Sequence, residues 1–201
     1  MAAMVKGLFS RNGVHLSLQT APFVFDSKRD IVIASGKNDP GLYSQADAIL
    51  LPHAGLFRHA VVMMDAEWGG SPGPVAIRRR LNEHLNRAGW GEERGLGLVI
   101  EPEVDAWLWT DSPHTPEALG WSSWQALRES LEPEGWLRPG EVKPTRPKEA
   151  AERALRLKGL SRSSDVYAQV AGRVSLPKCQ EPSAITLIQT LRSWFPPGGA
   201  E

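Results

Sequence analysis

The chain has one cysteine, Cys179, in 201 residues. A lone thiol builds no disulfide framework and no cysteine metal cluster. A reducing cytoplasm is therefore the expected setting. No apolar stretch approaches the ~20 residues of a membrane span, and Met1 to Phe9 lack a signal-peptide core, so a soluble protein with no membrane partner is expected. Net charge is missing as well. Lys and Arg number 23 and Asp and Glu number 23, so bulk charge points to no partner. Several catalytic motifs are absent too. Gly36-Lys37 has no Walker pattern. Gly70-Ser71-Pro72-Gly73 is not a nucleophile elbow, which needs Gly two before and two after Ser. The five histidines show no ligand spacing, and Cys179 has no histidine at a catalytic spacing.

Eight tryptophans are present, a number that suggests core anchors plus an interface. Charge is also uneven along the chain. From Glu101 to Glu134 there are eight acids against Arg128 alone, and from Arg138 to Lys178 ten bases against four acids. Self-complementary packing or a basic surface facing an anion would explain this.

Two apolar runs, His59 to Met64 and Leu96 to Ile100, read as buried strands of a parallel sheet. Val14–Gln19, Phe23–Phe25 and Ile31–Ala34 are further strand candidates, and Gly36 to Gly41 is a turn-forming loop. Helices are expected at Val5–Arg11, Leu42–Leu51 with Ser44 as a cap, Val75–Ala88, and Glu103–Thr110 with Pro102 at its start. Others follow at Thr115–Leu119, Ser122–Leu131, Pro147–Lys158, Ser164–Val174 and Pro182–Phe195, with Ser122, Ser164 and Glu181 at plausible starts. The expected fold is α/β over residues 1–112, with a helical part over 113–201 packed on it.

Both buried runs end in acids. Asp65-Ala66-Glu67 follows the first and Glu101-Pro102-Glu103-Val104-Asp105 the second. Ligands of open α/β sheets bind beyond the carboxyl ends of the strands. Mg²⁺ is held by one or two carboxylates with water and phosphate, so Asp65, Glu67, Glu103 and Asp105 are a candidate metal set. Of these, Asp65, Glu67 and Glu103 are candidates for catalysis of metal-assisted phosphodiester chemistry. The alternative is structural: carboxylates here cap the next loop or favour a helix start. Trp107 either walls the acids or packs in the core. Lys143, Arg146, Lys148, Arg162, Ser163 and Ser164 surround two helix starts. Lys143, Lys148 and Arg162 are the candidate phosphate contacts; a solvated face is the other reading.

Three stretches resemble a bacterial family of unknown function with a Toprim-like fold, often encoded beside phage-defence and restriction genes. Val61-Val62-Met63-Met64-Asp65-Ala66-Glu67 looks like the strand with the Toprim Asp-x-Asp pair, Glu67 replacing the second Asp. Pro102-Glu103-Val104-Asp105-Ala106-Trp107-Leu108-Trp109-Thr110-Asp111 resembles that family's Pro-Glu-x-Glu-Ala-Trp-Leu-x-x-Asp segment. Ser163, Tyr167, Ala171, Cys179 and Leu191 are similar to its C-terminal pattern. Over most of residues 58–195 the chain also resembles a small component of a methylation-associated defence system. The resemblance implies Mg²⁺-dependent nicking or nucleotidyl transfer on DNA or RNA, or a partner-binding role in a defence complex. One departure stands out. A Toprim domain begins with a strand ending in a catalytic Glu, whereas here no acid precedes Asp26. A truncated start or a degenerate domain is the expectation from that difference. Three functions follow: a defence-associated nucleic-acid protein, a non-catalytic subunit of a larger antiphage complex, or a small-molecule phosphohydrolase.

Overall fold

Residues 1–34, 39–173 and 179–198 are described in the computed structural model. The chain folds as a mixed α/β structure around a two-stranded parallel sheet. Strand β1 (Ala60–Asp65) pairs with β2 (Gly95–Ile100) in parallel, Ala60 opposite Gly95 and Asp65 opposite Ile100. Before the sheet come α1 (Ala2–Phe9), α2 (Val14–Leu18) and α3 (Asp39–Leu50). Between the strands lie α4 (Pro74–Arg87) and the single turn α5 (Gly91–Arg94). After β2 come a 3-10 turn at Val104–Leu108 and helices α6 (His114–Ala118) and α7 (Trp124–Leu131). The chain continues with α8 (Pro147–Leu157), α9 (Ser164–Arg173) and α10 (Pro182–Trp194).

Parallel strands are covered on both faces because their helical crossovers lie there. Side chains alternate between faces along each strand. Val62, Met64 and Val99 pack on one face with Ala46 of α3 and Ile77, Leu81 and Leu85 of α4. Leu98 and Ile100 join the other core, which draws on α1 and on the helices after β2. Val61 and Met63 are half-buried against that second core. In α4, Ile77, Leu81 and Leu85 recur at i and i+4, the expected inward stripe. His84 completes that face. Its Nε2 lies 2.9 Å from the Tyr43 carbonyl and its Nδ1 2.9 Å from Asp47, tying α3 to α4.

The sheet and most helices match the reading of the sequence, but the N-terminal third does not. Val14 to Leu18 is a helix, where alternation predicts a strand. Leu16 explains the misreading: it is 75% exposed, while Val14 and Leu18, one helical turn apart, are buried. Gly13 (φ 68°) and Gln19 (φ 59°) bracket that single turn in left-handed conformations. Phe23–Phe25 and Ile31–Ala34 stay outside the sheet. Of the predicted loop Gly36–Gly41, Asp39 to Gly41 instead begin α3, while Gly36 to Asn38 and the predicted helix end at Val174 fall outside the described residues.

The predicted caps shift as well. Ser44 lies inside α3 and its Oγ donates to the Pro40 carbonyl at 2.7 Å, while Ser123, not Ser122, caps α7 by accepting from the Ala126 N–H. The segment predicted as a helix over Glu103–Thr110 is the shorter 3-10 turn Val104–Leu108.

Gly97 shows how closely α4 lies on β2. A Cβ there would sit 2.7 Å from Asn82 Oδ1 and 2.8 Å from Leu81 Cβ. Gly97→Ala should therefore overpack this contact and cost about 1–3 kcal/mol, read as a lowered urea midpoint. An unchanged midpoint would show that α4 can move away freely.

Candidate functional site

The two strand ends meet through the acids that follow them. Asp65, the last residue of β1, accepts the Val104 N–H on Oδ1 at 2.9 Å. Ala66 N–H donates to the Ile100 and Pro102 carbonyls at 2.8 and 3.0 Å, and Glu67 N–H to the Pro102 carbonyl at 3.1 Å. These bonds fix the 3-10 turn after β2 against the end of β1. Burial pushes the Asp65 carboxyl up to about 6, helped by the nearby Asp39 and opposed by the Val104 N–H. Glu103 is pushed up to about 7, first by burial and then by Asp105. Lys148, 3.8 Å away, opposes that shift. Glu67 is exposed.

Asp105 is engaged elsewhere. Its side chain is 1% exposed and accepts from Arg162 Nη2 at 2.9 Å and from the Tyr167 hydroxyl. Arg162 Nε donates to the same hydroxyl. Burial and the carboxylate both push the Tyr167 hydroxyl above its ordinary range. A buried carboxylate needs this much compensation, and the triad fastens the start of α9 to the turn after β2. Among the described residues no group of three or more His, Cys, Asp or Glu side chains is placed to hold a metal ion.

The predicted phosphate contacts face internal acids. Lys143 pairs with Glu181 at 2.7 Å, Lys148 with Glu103 at 3.8 Å, and Arg162 with Asp105 and with Glu152 at 3.7 Å. Arg146 pairs with Glu149 at 2.6 Å. The acidic and basic blocks of the sequence thus meet at several points within the fold. Trp107 and Trp109 are both buried, and their indoles donate to Ser183 Oγ and to the Pro147 carbonyl. Cys179 is buried, and burial raises its thiol.

A cavity of about 950 Å³ lies against β1, which is the upper range for a ligand site. Ala60, Val61, Val62, Met63 and Asp65 of β1 line it, with Phe25, Val32 and Trp194 among the other lining residues. Nothing in the linear sequence signalled it, because its walls come from segments more than a hundred residues apart. Asp39, which helps to raise Asp65, and Tyr167, which donates to Asp105, likewise carry no local signal of those roles.

Comparison of the chain with protein-family models, with curated proteins and with solved structures returns no match.

The raised carboxyls have a measurable consequence. An acid whose pKa is higher in the folded than in the unfolded chain favours folding below its unfolded value, and that contribution is lost as pH rises through the folded value. For Glu103 the loss spans pH 4.5 to about 7. Glu103→Gln should remove it. Relative to wild type, the variant should gain on the order of 1–3 kcal/mol between pH 4 and pH 8, read from urea titrations at both pH values. Parallel pH curves for the two proteins would contradict the assigned burial.

Proposed function

We propose that this chain is a non-catalytic docking subunit of a larger, defence-associated assembly, built on a Toprim-like core. The observation that carries the reading is the apolar cavity along β1, whose outer edge has no strand paired to it among the described residues. Large apolar concavities beside polar backbone are characteristic of binding surfaces. The uses of the acids support it further. Asp65 holds the Val104 N–H and Asp105 holds Arg162 and Tyr167, so two of the four proposed ligands already serve the fold. The assembly, cytoplasmic and free of membrane on this reading, would be tested by co-expressing the tagged chain with the products of its flanking genes. A stable hetero-complex by light scattering is the expected result; a chain that elutes alone under every pairing would remove the reading.

A second reading is Mg²⁺-dependent phosphoryl chemistry on DNA or RNA. One observation favours it: burial together with neighbouring carboxylates, Asp39 beside Asp65 and Asp105 beside Glu103, raises Asp65 and Glu103 to about 6 and about 7, a repulsion that a divalent cation would relieve. Asp65, Glu67, Glu103 and Asp105 would hold the ion, and Lys143, Lys148 and Arg162 would face the phosphate. The donors present fit such an ion poorly, because no three of them are grouped among the described residues. No chemical step is therefore assigned to it. Calorimetry with MgCl₂ separates the readings. The docking reading predicts no binding heat at pH 6 or pH 8. A metal site built on these acids would bind more tightly at pH 8, where both are ionised, and Asp65→Ala would abolish the heat.

A further inference from the structure

We infer that the outer edge of β1 accepts an extended segment of a partner protein as a third strand, with that segment's apolar side chains entering the cavity. The inference rests on the docking-subunit reading and gives that site its ligand class.

The backbone supplies the first argument. In a parallel ladder, alternate residues turn their N–H and C=O toward the neighbouring strand, and those between turn them away. Ala66 N–H bonds to the Ile100 carbonyl, and Asp65 stands opposite Ile100. Val62 and Met64 therefore face β2, while Val61, Met63 and Asp65 present their backbone groups to the outer edge. All three line the cavity, together with Ala60 and Val62. Among the described residues no strand pairs with this edge; an edge of unpaired donors and acceptors is a template for another strand, and a six-residue partner would span ~20 Å.

The walls supply the second. Trp90 lines the cavity and is 2% exposed, yet its indole N–H has no acceptor among the described residues. A buried donor without a partner is costly, and a peptide carbonyl is the kind of group that would satisfy it. Val24, Val32 and Ile33, also in the wall, are 84%, 53% and 67% exposed. A strand laid along β1 would cover apolar surface that water now meets.

Charge along the edge selects the partner further. Arg58 and His59 precede the amino end of β1, and Asp65 with Asp39 lies at its carboxyl end, all four lining the cavity. The segment that fits is extended and apolar at alternate positions. It carries a basic residue beside Asp65 and an acidic one beside Arg58.

The test begins with random dodecapeptides displayed on phage and selected on the full chain. Selected sequences are synthesised and titrated calorimetrically. Peptides with alternating apolar residues and one basic end are expected. N-methylation of alternate peptide amides should weaken binding to wild type by about tenfold or more, since each blocks a strand hydrogen bond. Val61→Pro removes an outward N–H and no bond to β2, a position where proline is tolerated. It should weaken binding at least as much, whereas Val61→Ala, which keeps the N–H, should stay within about threefold. Equal binding of the N-methylated and parent peptides would overturn the inference without any mutant. So would recovery of no peptide at all, or a cavity that takes only a small apolar dye. Self-association abolished by Val61→Pro would transfer the edge to a second copy and also overturn it. A co-expressed assembly that survives Val61→Pro would sink the third strand and leave the docking subunit standing; no assembly with wild type sinks the subunit reading itself.

Discussion

The parallel pairing of β1 with β2 is the constraint on which the other elements depend. Six residues on each side hold together two cores that would otherwise lie apart. A two-stranded pair is weak by itself in water, so helices must cover both faces. They do, with α3 and α4 on one face and α1 and the C-terminal helices on the other. The fit is close enough that Gly97 has no room for a side chain beneath α4. β2, whose last four residues are all buried, lies inside this frame. β1, with only Val62 and Met64 buried, lies at its edge.

The acids after the strands belong to the same frame. Asp65 joins the end of β1 to the turn after β2, and Asp105 joins that turn to α9 through Arg162 and Tyr167. Charges gathered at strand ends can build a catalyst or brace a fold. Here the bonding partners favour bracing for Asp65 and Asp105. Glu103 is less committed, with one distant lysine and a raised carboxyl. The cavity beside Asp65 then becomes the more promising place for function. Its wall pairs polar backbone with apolar side chains, a combination that suits a peptide strand better than a phosphate.

Much of the architecture was legible in the sequence. The runs ending at Met64 and Ile100 are the two strands, and the stripe Ile77, Leu81, Leu85 gives α4. Helices from Trp124 onward lie within a few residues of their expected bounds. Val14 to Leu18 was not legible, because over five residues the positions i, i+2 and i+4 suit a strand face as well as they suit a helical turn with one outward leucine. The acids were legible as a cluster but not as individuals. Whether Asp105 serves a metal or an arginine depends on Arg162 and Tyr167, about sixty residues away. The cavity was invisible, since a gap between distant segments leaves no local pattern.

Native-state hydrogen exchange along β1 tests the central claim, an edge strand bonded on one side only. Amides of Val62, Met64 and Ala66, turned toward β2, should exchange slowly. Those of Val61, Met63 and Asp65, turned to the open edge, should exchange markedly faster. Equal protection of all six would mean that the outer edge is already paired, and the account of this surface would be wrong.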